Sequence, residues 1–537
     1  MTNLDYLYNP DAAKDAFNKN YFLDKKLGFQ IIENGMILPY SDTRDDGKKN
    51  FVGFGGIVYK NGEFIRESFI HVGTGGAYIP PPESIQHSSE TVIYFGISYR
   101  IWGHCLTDNI RRLWFLKSDF FRKEFKNCPI VYIAWRNRDI GCQKNFRRLL
   151  EILEVDVDRF QVINQPTQFE RIILPDESFF IDDGARKFTN EYRNMIEQVR
   201  MFALKNCSPT ACKKIYYLYN REQLGEERLA EYFKSKGYEI VRPETLTFDE
   251  QLNLLINCES FASTVGSCSH NSIFLRDNME VILIPRFSQL IADYQEPLNQ
   301  VHPVNAIYVD SSLSIFGKVH EPFCYIISPQ LKRFFGDNWD GYEEEDFKTF
   351  LQYIKNCMER GLKIHPSTWT HYEKIFYDFM VQLKRREDLI SAYDISTNYL
   401  DTFRPTLTYQ THVHYKGWRD GWRSENEFSN PLDQMLDIQA IKINFPNHKV
   451  YYSVYYNEKE GWSEEVTAPD MAGITGKSKA IMGIKIRLDE AGAKDFDILY
   501  RVHKFDGEWT DWAKNGENLY SYGQKINAVQ VKLEFKS

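Results

Sequence analysis

What the chain lacks narrows its class first. No run approaches the roughly 20 apolar residues that a membrane-crossing helix needs, although hydrophobic residues fill 43% of the 537 positions. The opening MTNLDYLYNPDAAKDAF has neither a basic start nor an apolar centre, so no export signal is readable and a cytoplasmic location is expected. Positive charge is also short. The formal net charge is -8, whereas a nucleic-acid partner would normally leave a basic excess. The nine cysteines form no CxxC pair and stop at Cys357. An odd count of that kind argues against a disulfide framework and fits core thiols in a reducing compartment. Metal-site spacing is missing as well. The clear DxD, Asp495-Phe-Asp497, lies inside a repeated C-terminal segment, and Asp45-Asp46 and Asp182-Asp183 stand beside glycine, where aspartate serves turns. Neither a metal nor a cofactor is therefore expected.

The length implies about three domains. Ile215 to Arg286 is the most regular stretch. KKIYYLY and GYEIVRP are strand-like, and between them REQLGEERLAEYFKSKG carries helical apolar spacing at Leu224, Leu229, Tyr232 and Phe233. Thr247-Phe-Asp-Glu250 is a capping box opening the helix QLNLLINC. Then come a strand SFASTVG, a short helix SHNSIFLRD and a strand MEVILIPR. Alternation of this kind predicts a parallel, doubly wound sheet, with ligands beyond the strand C-termini. The turn Gly266-Ser-Cys-Ser-His-Asn271 falls at such an end, where small residues expose N–H groups suited to the diphosphate of a nucleotide-sugar.

Residues 1–205 repeat the α/β theme less cleanly, as a first lobe. TVIYFGI, PIVYIAW and FQVINQP read as strands, WGHCLTDNIRRLWFL and CQKNFRRLLEILEV as helices, and the preceding ILPY, FVGFGGIVY and GEFIRESFIHVG as hairpins. Asn190 to Asn206 is a helix that could cross between lobes. The donor-side lobe is placed at 206–330 and a helical segment or linker at 331–405. Residues 406–537 differ, being β-rich and internally repeated. HVHYKGWRDGW, SVYYNEKEGW and RVHKFDGEWTDW are variants of one phrase, each followed by a strand, and their strand positions Ile441, Ile484 and Val529 lie 43 and 45 residues apart. Three such copies predict a closed pseudo-threefold all-β domain of β-trefoil or β-prism type, in which no copy buries its core alone. The repeated Trp418, Trp462 and Trp509 have two readings: equivalent core slots, or exposed rings for sugar stacking. The phrases resemble the clostridial hydrophobic repeats with a conserved tryptophan, a resemblance that implies attachment or carbohydrate binding.

Within WGHCLTDNIRRLW, His104 and Asp108 are four apart, which stacks them on one helical face. A carboxylate beside an imidazole suits general base chemistry; the plain alternative is a packed histidine and a salt-bridged aspartate. Asp108 ranks first as base and His104 second. Arg112 in the same phrase is a candidate acceptor or partner contact.

This phrase, followed by a strand-NR-x-x-x-x-x-E segment and the VGS-x-SHN turn, resembles glycosyltransferase family 61 and related capsular polysaccharide transferases over roughly Gly53 to Arg286. The resemblance implies a GT-B architecture of two facing Rossmann-like lobes, and inversion at the sugar carbon without an obligatory metal. It places His104 and Asp108 in an acceptor-side motif facing the cleft. Arg221 falls at a basic position after the first donor-lobe strand, with Glu227 and Gln251 on the following helices. Gly266, Ser267, Ser269, His270 and Asn271 match the donor-binding turn, which is shorter here than the glycine-rich form common in the family. The implied function is inverting transfer from a nucleotide-sugar to a bacterial surface glycan or glycoprotein. Two rivals are an attachment protein with an inactive transferase-like domain and a GT-B-like pyruvyl (ketal) transferase.

Overall fold

The computed structural model describes the chain apart from residues 1, 8–16, 45–46, 48, 70–75, 138–143, 220–222, 287–293, 315–321, 339–340, 362–378, 381, 384–385, 394, 396–406, 420, 446–447 and 537. It is mixed α/β with a β-rich C-terminal region, in two compact units. One is built on Met1–Tyr353 and the other on Pro366–Ser537 with Ile354–Gly361. No described helix is long and apolar enough to cross a membrane.

The larger unit holds two main sheets. In the first, Phe160–Val162, Ile130–Ala134, Gln86–Ser98 and Thr167–Pro175 run parallel in that order, and antiparallel strands between Phe29 and Ile65 extend it from Thr167–Pro175. All five residues of Ile130–Ala134 are buried, as an apolar run in a strand covered on both faces requires. The second sheet is wholly parallel: Glu239–Val241, Lys214–Tyr217, Ser260–Thr264, Glu280–Ile284, Asn305–Val309 and Thr2–Tyr6. Its last strand comes from the N-terminus, which showed no strand signal. The capping box forms: Thr247 Oγ1 accepts the Glu250 N–H, and the Glu250 carboxylate accepts the Thr247 N–H.

One buried cluster draws on both sheets and on the helices Lys144–Ile152, Asn190–Asn206 and Phe248–Asn257. The helix Asn190–Asn206 ties them together. Tyr192 donates its hydroxyl to the Leu106 carbonyl, and Arg200 donates to the Leu275 carbonyl.

The segment WGHCLTDNIRRLWFL is not the single α-helix its pattern suggests. An α-turn at Trp102–His104 widens into a π-turn at Cys105–Asn109, and a 3-10 turn follows at Leu113–Lys117. Side chains compete with the ladder here. Asn109 bonds both the N–H and the carbonyl of Tyr99. Such π-turns are frequent at functional sites. The helix expected over STWTHYEKIFYDFMVQLKRREDLISAY lies largely outside the described residues, and Glu387–Ala392 is helical.

In the smaller unit the copies build three sheets, each centred on one antiparallel pair: Thr408–Val413 with Ile438–Asn444, Val450–Tyr455 with Gly483–Leu488, and Phe496–Lys504 with Ile526–Phe535. Each sheet takes an edge from the next copy. Ala472–Gly473 joins the first and Leu519–Tyr520 the second. The third receives copy one: Asn426 and Ser429 donate their N–H groups to the Val531 and Val529 carbonyls. The ring therefore closes around one shared core. Asp497, of the DxD, accepts from Asn515 Nδ2 and pairs with Lys536, so it is engaged in local structure.

Candidate active site

The Trp102 phrase and the Ser267–Asn271 turn meet. The Trp102 indole N–H donates to Asn271 Oδ1 at 2.9 Å, and Asn271 Nδ2 donates to the Cys268 carbonyl. A Cβ on Gly103 would lie 2.8 Å from Ser267 Oγ and 2.9 Å from His270 Nδ1, so only glycine lets the segments approach this closely. Gly266 turns at φ +150° beneath the Arg286 guanidinium.

His104 Nδ1 lies 2.7 Å from Asp108 Oδ2, which also accepts from Thr107 Oγ1. The side chains differ in exposure: 29% for His104, 1% for Asp108. Burial is the largest single influence on the Asp108 carboxyl and would raise its pKa. The His104 hydrogen bond and charge, with Arg186 and Arg111, outweigh it and hold the group well below the usual carboxylate range. An ionised Asp108 can only accept, so the shared proton sits on His104 Nδ1, and in the neutral imidazole Nε2 is then the acceptor. Tyr99 stacks on the His104 ring with centroids 4.6 Å apart.

Tyr294 meets both histidines. Its ring stacks on His270 and meets His104 edge-on, while the Arg186 guanidinium covers it at 3.6 Å. Burial, then the charge of His104, pushes the His270 pKa down to about 3. His270 is therefore neutral near pH 7 and brings no cation to a diphosphate.

A cavity of about 700 Å3 opens beside Trp102, lined also by Arg100, Lys144, Tyr219, Gln251, Ser267 and Asn271. Gln251 is buried and spans the Pro243 and Leu246 carbonyls, shaping that wall. Ser269 faces inward: its hydroxyl accepts the Gly266 N–H and donates to Gln295 Oε1, so it holds the turn from within. Glu227 is exposed on its helix, and it is Glu226 that is buried and accepts the Tyr219 N–H at 2.7 Å. Arg221 lies outside the described residues. Arg112 is buried away from this cavity, donating to the Pro175 and Glu67 carbonyls and pairing with Glu177. Among the described residues no group of three or more His, Cys, Asp or Glu side chains could hold a metal ion.

Trp418, Trp462 and Trp509 occupy equivalent hairpin positions, opposite His412, Tyr455 and His503. They are half-buried and stand outside the apolar core of their unit. Lys442 covers Trp418, Tyr520 packs on Trp462, and Phe428 and Arg501 flank Trp509.

The pattern gave no sign of Tyr99, Arg100, Lys144, Arg186, Tyr219 or Tyr294. The excess of Arg100 and Lys144 over Glu244 in one cavity exists only after folding. No curated protein matches the chain. Residues 102–282, from the Trp102 turn to the strand after the Ser267–Asn271 turn, match the family model described as Glycosyltransferase 61, and this match supports a glycosyltransferase function.

Proposed function

We propose that the chain is an inverting glycosyltransferase that transfers a sugar from a nucleotide-sugar to a bacterial surface glycan or glycoprotein, without a metal and in the cytoplasm. The observation that carries this reading is the His104–Asp108 pair held against the Ser267–Asn271 turn, two residues from the Trp102 wall of the larger cavity. The two main sheets would be the facing lobes of a GT-B architecture. Three separate sheets favour the prism over the trefoil for the repeats, which would hold the acceptor or a partner.

His104 is the base and Asp108 its positioning residue, the reverse of the order suggested by sequence. Nε2 takes the proton of the acceptor hydroxyl as that oxygen attacks the sugar carbon, and the ionised Asp108 stabilises the imidazolium that forms. The bond to the nucleoside diphosphate breaks on the opposite face. Its developing charge is met by Arg100, Lys144 and N–H groups of the Ser267 turn, where preorganised donors act most strongly. Gln251 and Asn271 shape the rest of the donor cavity.

A thermal-shift screen of UDP-, GDP-, CMP- and TDP-sugars tests the reading. A donor at a hundred times its Kd stabilises the protein by about 2.7 kcal/mol. Binding of one of them, followed by transfer with inverted stereochemistry, is the expected result. Failure of all four to bind, or a retained product, overturns it.

A further inference from the structure

A second cavity, of about 350 Å3, is lined by Arg111, Arg112, Glu177, Arg186, Phe180 and Arg66 among others. Arg111 and Arg112 are only 5% and 2% exposed, yet they share one oxygen, Glu177 Oε1, at 3.1 and 2.7 Å. Arg112 completes part of its fork on the Pro175 and Glu67 carbonyls. Arg111 Nε and Nη2 and Arg112 Nη1 have no hydrogen-bond partner among the described residues, the Arg111–Glu177 contact being an ion pair without hydrogen-bond geometry. Asp108 Oδ1 stands 3.7 Å from Arg111, and the other Asp108 oxygen is engaged by His104 and Thr107. Lys25 and Arg66 also line the cavity, as do Glu67, Asp176 and Asp182. Of these carboxylates, Asp182 pairs with Lys187 and Asp176 accepts the Gly28 N–H.

Buried guanidinium groups are retained where oxygen pairs complete their planar forks. Here one carboxylate oxygen serves two forks, and three buried donors are left over on side chains that line a cavity. We propose that this cavity is the acceptor subsite and takes a saccharide bearing an oxyanion, a carboxylate or a phosphate. The proposal rests on the transferase reading above and names its substrate class. Arg111 lies between this cavity and Asp108, 3.7 Å from its Oδ1, so an oxyanion on Arg111 is one side chain away from the carboxylate that orients the base.

The test uses the full-length chain without any donor, with glucuronic acid, glucose 6-phosphate and glucose as probes in saturation-transfer NMR. Both anions should bind at least tenfold more tightly than glucose, and the tighter of the two names the anion. Glu177→Gln removes the competing carboxylate and keeps both guanidinium groups, so it should tighten anion binding severalfold. A merely structural Glu177 would not do this. Arg66→Ala, on the exposed rim, should weaken anion binding without disturbing the fold. Glucose binding as well as the anions, or Glu177→Gln leaving their affinities unchanged or weaker, would overturn the proposal. Displacement of the anions by UDP would also overturn it, by assigning the cavity to the donor. Failure of the transferase reading shows elsewhere, as absence of nucleotide-sugar binding in the larger cavity.

Discussion

Trp102 and Asn271 stand 169 residues apart in the chain and share one hydrogen bond, indole N–H to amide oxygen, at 2.9 Å. That bond joins the first-sheet phrase carrying His104 to the second-sheet turn at the larger cavity. Its neighbour Gly103 is what allows the approach, because both Ser267 and His270 crowd the position a side chain would take.

Gly103→Ala should therefore separate the phrases. An added methyl at 2.8 Å from Ser267 Oγ forces a shift, with a stability cost of about 1–3 kcal/mol typical of overpacking. Nucleotide binding should fall with turnover if the larger cavity holds the donor, because Ser267 and Asn271 line it. Calorimetry against the nucleoside diphosphate checks this. An alanine variant with unchanged affinity and unchanged melting would mean that the contact is incidental to the site.

The order of base and orienter is open to kinetics. His104→Ala should abolish transfer. Asp108→Asn, which lets an amide replace the ionised carboxylate, should lower kcat by about 10² to 10⁴ and leave donor affinity intact. Neither side chain lines the larger cavity. Activity in His104→Ala that matches or exceeds that of Asp108→Asn would return the base role to Asp108. EDTA should leave wild-type turnover intact, and a loss restored by Mn²⁺ would refute the metal-free reading.

The legible parts of this molecule were those fixed by local periodicity. The parallel strands around Ile215 and Ala262, the Thr247–Glu250 capping box and the threefold phrases all follow from residue spacing within one element. What stayed hidden depends on chain crossings. Thr2–Tyr6 reads as an unremarkable opening, yet it pairs with Asn305–Val309. Tyr294 and Arg186 belong to no phrase and reach the histidines only through tertiary packing. The resemblance points to Glu227, which is exposed, whereas the neighbouring Glu226 turns inward at Tyr219, a difference that only the folded helix start reveals. The spacing of His104 and Asp108 gave their contact but not its polarity, which burial decides.

Acid should destabilise the larger unit through His270. The unfolded chain takes up this proton below about pH 6.5, whereas the folded site resists until about pH 3. The unfolded state thus binds more protons between these values, and stability falls as pH drops through the window, by up to about 1.4 kcal/mol per pH unit. His302, pushed down to about 4 by burial and then by Arg200, adds to the fall with the same sign. Urea melts between pH 6.5 and 4.5 should give a shallower pH slope for His270→Gln than for wild type. Identical slopes would show that His270 titrates normally in the folded protein.

The repeats should behave as one ring and not as a stack. Tyr409 donates its hydroxyl to the Glu427 carbonyl and accepts the N–H of Val531, which belongs to the last strand of copy three. Tyr452 does the same with Asp470 and with Ile443 of copy one. Tyr500 does it with Glu517 and with Ile486 of copy two. Each tyrosine thus ties its copy to the preceding one, and Tyr409 closes the circle. Tyr409→Phe leaves a buried carbonyl and N–H without that partner and should cost roughly 1–3 kcal/mol in this unit. Deleting copy one alone strips the edge from Ile526–Phe535 and opens the shared core, so it should unfold the whole unit. Ending the chain near Phe403 removes all three copies together and should leave a soluble larger unit. If the repeats hold the acceptor, that shortened enzyme keeps transfer to small acceptors and loses efficiency on a polymer, because the missing module supplied local concentration. A cooperative melt from a variant with two copies would show that the copies stack in an open array, and equal rates on the polymer would assign them to partner docking.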